Sequence, residues 1–157
     1  MDLEPYQHVA TITIAASPED VYDLVADITR MGEWSPVCTA GEWLDDARTS
    51  FRGTNAMGDF TWQTTCRIDV AERGKEFTFV NRGQEGNEEL VRWSYTFAPV
   101  PGGTELTESW KVLPEYEPSM ARLLPDMNLK DYLDGVKPTT QSGMAETLAN
   151  VKAAAES

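Results

Sequence analysis

This chain of 157 residues is poor in histidine (one), cysteine (two) and basic residues (13 Lys and Arg against 26 Asp and Glu). Each shortage removes a class of chemistry. The single His8 stands at the start of a strand pattern, so neither a Ser-His-Asp nor a Cys-His mechanism finds its base. No His/Cys cluster has zinc spacing, and Asp45-Asp46 is too short for a calcium loop. Gly102-Gly103 belongs to a hairpin rather than a strand-to-helix turn, so there is no phosphate loop. A dedicated hydrolase, kinase or dehydrogenase is therefore not expected, and neither is a metal or cofactor. Cys38 and Cys66 form no disulfide framework by spacing, and Cys66 lies in an apolar strand pattern, where a thiol acts as a small hydrophobe. The net charge of −13 repels phosphate backbones and anionic lipid, which argues against nucleic-acid or membrane-surface binding and favours solubility. No run approaches the ~20 apolar residues of a membrane span. The opening MDLEPYQHV lacks the basic start and apolar stretch of a signal peptide. The expectation is a reduced, cytoplasmic protein.

What the chain does have is one amphipathic helix at its end and strand patterns before it. Over residues 140–155, Met144, Leu148, Val151 and Ala155 recur at helical spacing with polar residues elsewhere on the wheel. Such a helix needs a surface to lie on, because ordering its residues costs about 1–2 kcal/mol each. Residues 7–15 alternate as a strand. Ser17-Pro18-Glu19-Asp20 is a helix start: an N-cap, a proline in the first turn and two acids. A short second helical turn spans Ile28 to Glu33 and stops before Trp34-Ser35-Pro36. Six further strands follow: Val37–Leu44, Phe51–Met57, Phe60–Ala71, Glu76–Arg82, Glu88–Ala98 and Thr104–Leu113. Short connections make neighbours antiparallel, so the class is α+β, in a single domain over residues 1–157. In the fourth strand overall, Phe60, Trp62, Thr64, Cys66, Ile68 and Val70 share a face. Pro114 to Pro138 reads as short helical pieces interrupted by Pro125, Gly135 and Pro138, a candidate flexible lid.

The stretches IAASPEDVYDLVADITRMGEWSP (Ile14–Pro36), WSYTFAPVPGGTELTESW (Trp93–Trp110) and GMAETLANVKAAAE (Gly143–Glu156) resemble the START-like, helix-grip superfamily. Within it they are most similar to the bacterial polyketide cyclase/dehydrase and lipid-transport group. The resemblance spans nearly the whole chain except the 114–138 segment. It implies a seven-stranded antiparallel sheet curved around the long C-terminal helix, two short helices between strands one and two, and a hydrophobic cavity inside. Its motifs are capping and packing signals, so they specify fold and leave function open.

The inward faces converge on one space. Trp62, Thr64, Cys66, Phe77, Phe79, Trp93, Tyr95, Leu106, Glu108 and Trp110 come from strands, and Met144 and Leu148 from the last helix. Trp34 and, from the irregular segment, Met120, Leu124 and Met127 complete the set. An apolar, aromatic concavity with few polar groups suits a small molecule, although the same residues can also simply fill a core. Glu108, between Leu106 and Trp110, is the residue most suggestive of chemistry. If buried, it must be hydrogen-bonded, paired or protonated, with Tyr95 or Arg92 as partner; if near the strand's open end, it reaches solvent. The first functional expectation is a carrier or sensor of a lipid, polyketide, quinone or aromatic metabolite. The alternatives are an aromatase/cyclase or dehydratase using Tyr95 and Glu108, and a protein-partner module.

Overall fold

The computed structural model describes residues 1–157. Its elements are β1 (Gln7–Ile14), α1 (Pro18–Val25), a 3-10 helix (Ile28–Glu33), β2 (Cys38–Trp43), β3 (Ser50–Met57), β4 (Phe60–Glu72), β5 (Glu76–Asn81), β6 (Val91–Val100), β7 (Gly103–Val112), α2 (Tyr116–Leu123) and α3 (Leu129–Glu156). All seven strands form one antiparallel sheet in the order β1-β7-β6-β5-β4-β3-β2. The only neighbour pair not consecutive in sequence is therefore β1 with β7, and α1 and the 3-10 helix carry the chain from β1 at one edge of the sheet to β2 at the other. No helix is long and apolar enough to cross a membrane.

Local chemistry explains the helix starts. The Ser17 hydroxyl accepts from the Asp20 amide at 3.2 Å, with Pro18 and Glu19 in the first turn of α1. Asn128 caps α3 in the same way, accepting from the Asp131 amide at 3.1 Å. The sequence reading broke the helix at Gly135 and Pro138; α3 instead runs unbroken through both for 28 residues. Proline removes one backbone hydrogen bond. That loss is outweighed here by burial on either side of it: Leu133 before it and Met144 after it are both fully inside. The 114–138 segment is thus α2, a short link and the first turns of α3, not a string of broken pieces.

Helix α3 lies over β1, α1 and β7. The Tyr6 hydroxyl donates to Asp134 at 2.7 Å near one end. Near the other, Lys152 donates to the Thr13 carbonyl at 2.8 Å, and Glu156 accepts from the Ala15 amide at 2.8 Å. The buried side chains form two clusters. One gathers Ile14, Val21, Ile28, Phe51, Leu106 and Val151, and the other Tyr6, Leu90, Val112 and Leu133.

The 3-10 helix seats on β2 backbone against backbone. A Cβ on Gly41 would stand 2.4 Å from the Ile28 carbonyl oxygen, and one on Gly32 would stand 2.2 Å from that of Thr39. Main-chain oxygens cannot rotate aside, so Gly41→Ala is expected to lower stability by about 1–3 kcal/mol, as overpacking does. Urea denaturation measures this, and an unchanged midpoint would show that the two segments can separate freely.

Candidate functional site

Strand register sets which residues meet inside the sheet. One row across it reads Ala10, Glu108, Tyr95, Phe77, Ala71, and the next reads His8, Trp110, Trp93, Phe79, Ile68. A third runs Val112, Val91, Asn81, Cys66, Phe51. The pairing shifts at Asp69, between Ile68 and Val70. This bulge, whose extra residue reverses the alternation, turns Val70 to the outer face and brings Ala71 inward. The strict alternation read from sequence had placed Val70 inside.

Trp34, Cys66, Phe77, Phe79, Tyr95, Leu106 and Leu148 meet in the first buried cluster, and Trp110 and Met144 in the second. Trp93 packs against both, and Met120 against the second. Trp93 is only half-buried although it points inward from the body of the sheet. Trp62 is half-buried too, stacked at 5.4 Å on the exposed ring of Phe60. Leu124, expected in the interior, is 50% exposed. It stands at the C-cap of α2, where the chain leaves the helix, and packs into neither buried cluster.

The polar centre of this interior is Glu108. It is 2% exposed, and its Oε2 accepts a 2.5 Å hydrogen bond from the Tyr95 hydroxyl, one strand away in direct register. No protein group reaches Oε1. Burial pushes the Glu108 carboxyl up to about 7, against the opposing pull of the Tyr95 hydrogen bond. Burial, then the adjacent carboxylate, pushes the Tyr95 phenol well above its ordinary range. Since Tyr95 donates to Oε2, a proton on the carboxyl sits on Oε1. That oxygen then offers one O–H to whatever lies beside it; when ionised, it can only accept. Nearby polar groups satisfy one another: the Asn55 amide donates to the Thr64 hydroxyl at 3.3 Å, and the Cys66 thiol approaches the same oxygen at 3.9 Å. Burial pushes the Cys66 thiol up to about 12, so it stays a protonated, unreactive hydrophobe.

A cavity of about 590 Å³ opens elsewhere, between α1, the β2–β3 hairpin and the ends of β4 and β5. Of the residues picked from sequence for the site, only Phe77 lines it. Its other walls include Tyr22, Asp27, Trp43, Arg48 and Ile68. Residues 45–48 lie in the connection from β2 to β3, and nothing in the local sequence pattern of Arg48 signals a cavity.

The family described as polyketide cyclase/dehydrase and lipid transport matches residues 7–156. The fold is similar to that of the Polyketide_cyc-like protein Cgl2372 from Corynebacterium glutamicum, solved by NMR in solution. The two are 33% identical over 94% of this chain and 89% of that one, with a TM-score of 0.65. Zhui aromatase/cyclase from Streptomyces sp. R1128 superposes with a TM-score of 0.72 at 14% identity, over 96% of this chain and 93% of that one. The di-domain aromatase/cyclase StfQ of the steffimycin biosynthetic pathway gives 0.71 at 14% identity, over 96% of this chain and half of its own length. At that identity the likeness is one of fold. No curated protein sequence matches the chain. Sheet order, terminal helix and sequence match agree: the chain belongs to the polyketide cyclase/dehydrase and lipid transport family.

Proposed function

We propose that the protein binds a small hydrophobic molecule between the sheet and α3, as a carrier or sensor, and holds one oxygen of that molecule on Glu108. The observation behind this is Oε1 of Glu108: a buried carboxyl oxygen, facing inward, with no protein partner. Buried polar atoms left unpaired cost about 1–3 kcal/mol, so one that persists suits a ligand group. Half-buried Trp93 on the adjacent inward row, and the aromatic rings of Phe79 and Trp110 beside it, supply the apolar wall. Each Å² of apolar ligand surface removed from water contributes about 25 cal/mol. The neutral carboxyl would orient a carbonyl by donating from Oε1.

Native mass spectrometry of the purified protein tests carriage, since a hydrophobic passenger should accompany it unaltered. For the site itself, 2-acetylnaphthalene serves as a neutral, carbonyl-bearing probe followed by tryptophan fluorescence. Its affinity should fall about tenfold from pH 5.5 to pH 8.5 as Glu108 ionises, and should be flat in Glu108→Gln, whose amide still donates. Equal pH profiles in the two proteins would remove Glu108 from the site.

A second reading is supported by the same carboxyl. A proton donor that titrates near 7 is well matched to general acid work at neutral pH. In an aromatase/cyclase or dehydratase, Glu108 would protonate a substrate oxygen, with Tyr95 positioning the carboxyl. Turnover of an added polyketide-like substrate by wild type and not by Glu108→Gln would favour this reading over carriage.

A further inference from the structure

The cavity under α1 stands apart from Glu108, on the far side of Phe77, and one of its charged groups is uncommitted. Asp23 is held by Arg73 in a two-pronged pair at 2.7 and 2.9 Å. Asp27 accepts from the amide of Thr29 at 3.2 Å and from its hydroxyl at 2.5 Å. Arg48 has no acidic partner and no side-chain hydrogen bond within a protein of net charge −13. Its guanidinium instead lies over the Trp43 indole at 5.5 Å, which fixes the plane of the fork while leaving its N–H groups free.

The backbone at this position adds a second observation. Arg48 is the only non-glycine residue with positive φ, at 57°. A long side chain is disfavoured in that region, where glycine or asparagine would cost less. Arg48 is exposed at the rim of this half-open cavity, with its guanidinium on the cavity side of the turn.

We propose that this cavity is a second binding site, for a carboxylate-bearing aromatic molecule. Arg48 takes the carboxylate through two parallel N–H donors, and Ile68, Phe77, Tyr22 and the edge of Trp43 enclose the ring system. A volume of about 590 Å³ is within the range of small-molecule sites. A neutral apolar ligand would gain the walls without using the free guanidinium; the Asp27 carboxylate, also in the lining, places the anion on the Arg48 side of the cavity. The site is independent of Glu108 and stands or falls separately from the interior reading.

The probe pair is 2-naphthoate and 2-naphthalenemethanol, which share a ring and differ in the anion. The test variant Arg48→Gly removes the guanidinium and relaxes the backbone, so it should fold at least as well as wild type. Naphthoate affinity, measured by calorimetry, should drop about tenfold or more in Arg48→Gly, while the alcohol binds both proteins alike. Amide and side-chain NMR shifts should concentrate at Trp43, Ala47, Ile68 and Ala71, and Glu108→Gln should leave naphthoate binding unchanged. The proposal is overturned if naphthoate fails to bind wild type at millimolar concentration, or if Arg48→Gly binds it equally well. Equal losses for the acid and the alcohol, or shifts centred on Trp93 and Tyr95, would overturn it as well.

Discussion

Between pH 4.5 and pH 8, wild-type protein should lose about 3 kcal/mol of stability relative to Glu108→Gln. The carboxyl titrates at 4.5 in an unfolded chain and at about 7 in the fold, because burial penalises its charge. Below 4.5 it is protonated in both states and the fold bears no penalty. Between the two values the native state holds a proton that the unfolded state has released, so stability falls as pH rises. Above 7 the fold must keep a carboxylate out of water with a single Tyr95 donor, and the loss is complete. At about 1.4 kcal/mol per pH unit, this interval yields the stated figure. Acids held low by ion pairs, such as Asp23 beside Arg73 and Glu33 beside Arg30, act in the opposite sense and at lower pH. They are present in both proteins and cancel from the difference. Urea denaturation of the pair at pH 4.5, 6 and 8 gives that difference directly. Parallel curves would mean that Glu108 is solvated in solution and that the carboxyl is not the buried donor the proposed function needs. With a total stability of about 5–15 kcal/mol typical of such domains, the effect is large enough to shift the folded population of a weakened variant.

The sequence offers a buried Glu108 two partners, Tyr95 and Arg92, and the structure selects Tyr95, which shares its inward face across the Pro99–Gly103 hairpin. A hairpin fixes register, and register fixes who faces whom. The terminal helix from residue 140 onward and the succession of antiparallel hairpins were legible for similar reasons, since caps, turn residues and alternation are all local; the start of that helix at Leu129 and the pairing of β1 with β7 were not. The missed features depend on tertiary context. The bulge at Asp69 carries no glycine or proline to mark it, yet it flips Val70 and creates the Ala71 wall of the cavity under α1. Pro138 looked like a helix end because its local cost is real; Leu133 before it and Met144 after it, both buried in the same cluster, override that cost. Leu124 has the composition of a core residue but sits at a helix exit, where position counts for more than hydrophobicity. The cavity under α1 joins four segments distant in sequence, so no window of residues could have shown it. Arg48 becomes informative only when its φ, its stacking on Trp43 and its lack of an acidic partner are seen together.

Phe51 and Phe60 give the sharpest test of which rings belong to the interior. Both lie at helix-facing positions by simple alternation, one on β3 and one at the start of β4. Phe51 is 1% exposed, and its ring packs edge-on against Trp43 at 6.0 Å and Phe79 at 5.1 Å. It thus ties Trp43, a wall of the cavity under α1, to the aromatic rows of the interior. Phe60 is 67% exposed and touches chiefly Trp62, on which it stacks. Truncating Phe51 to alanine removes buried apolar surface and leaves a void among rings that cannot close in, so Phe51→Ala should cost about 3–5 kcal/mol. Phe60→Ala forfeits one partly solvated stacking pair, and should cost less than about 1 kcal/mol. The same denaturation measurement reads both. Comparable losses would mean that the β3–β4 hairpin tip folds inward in solution and that Phe60 belongs to the core.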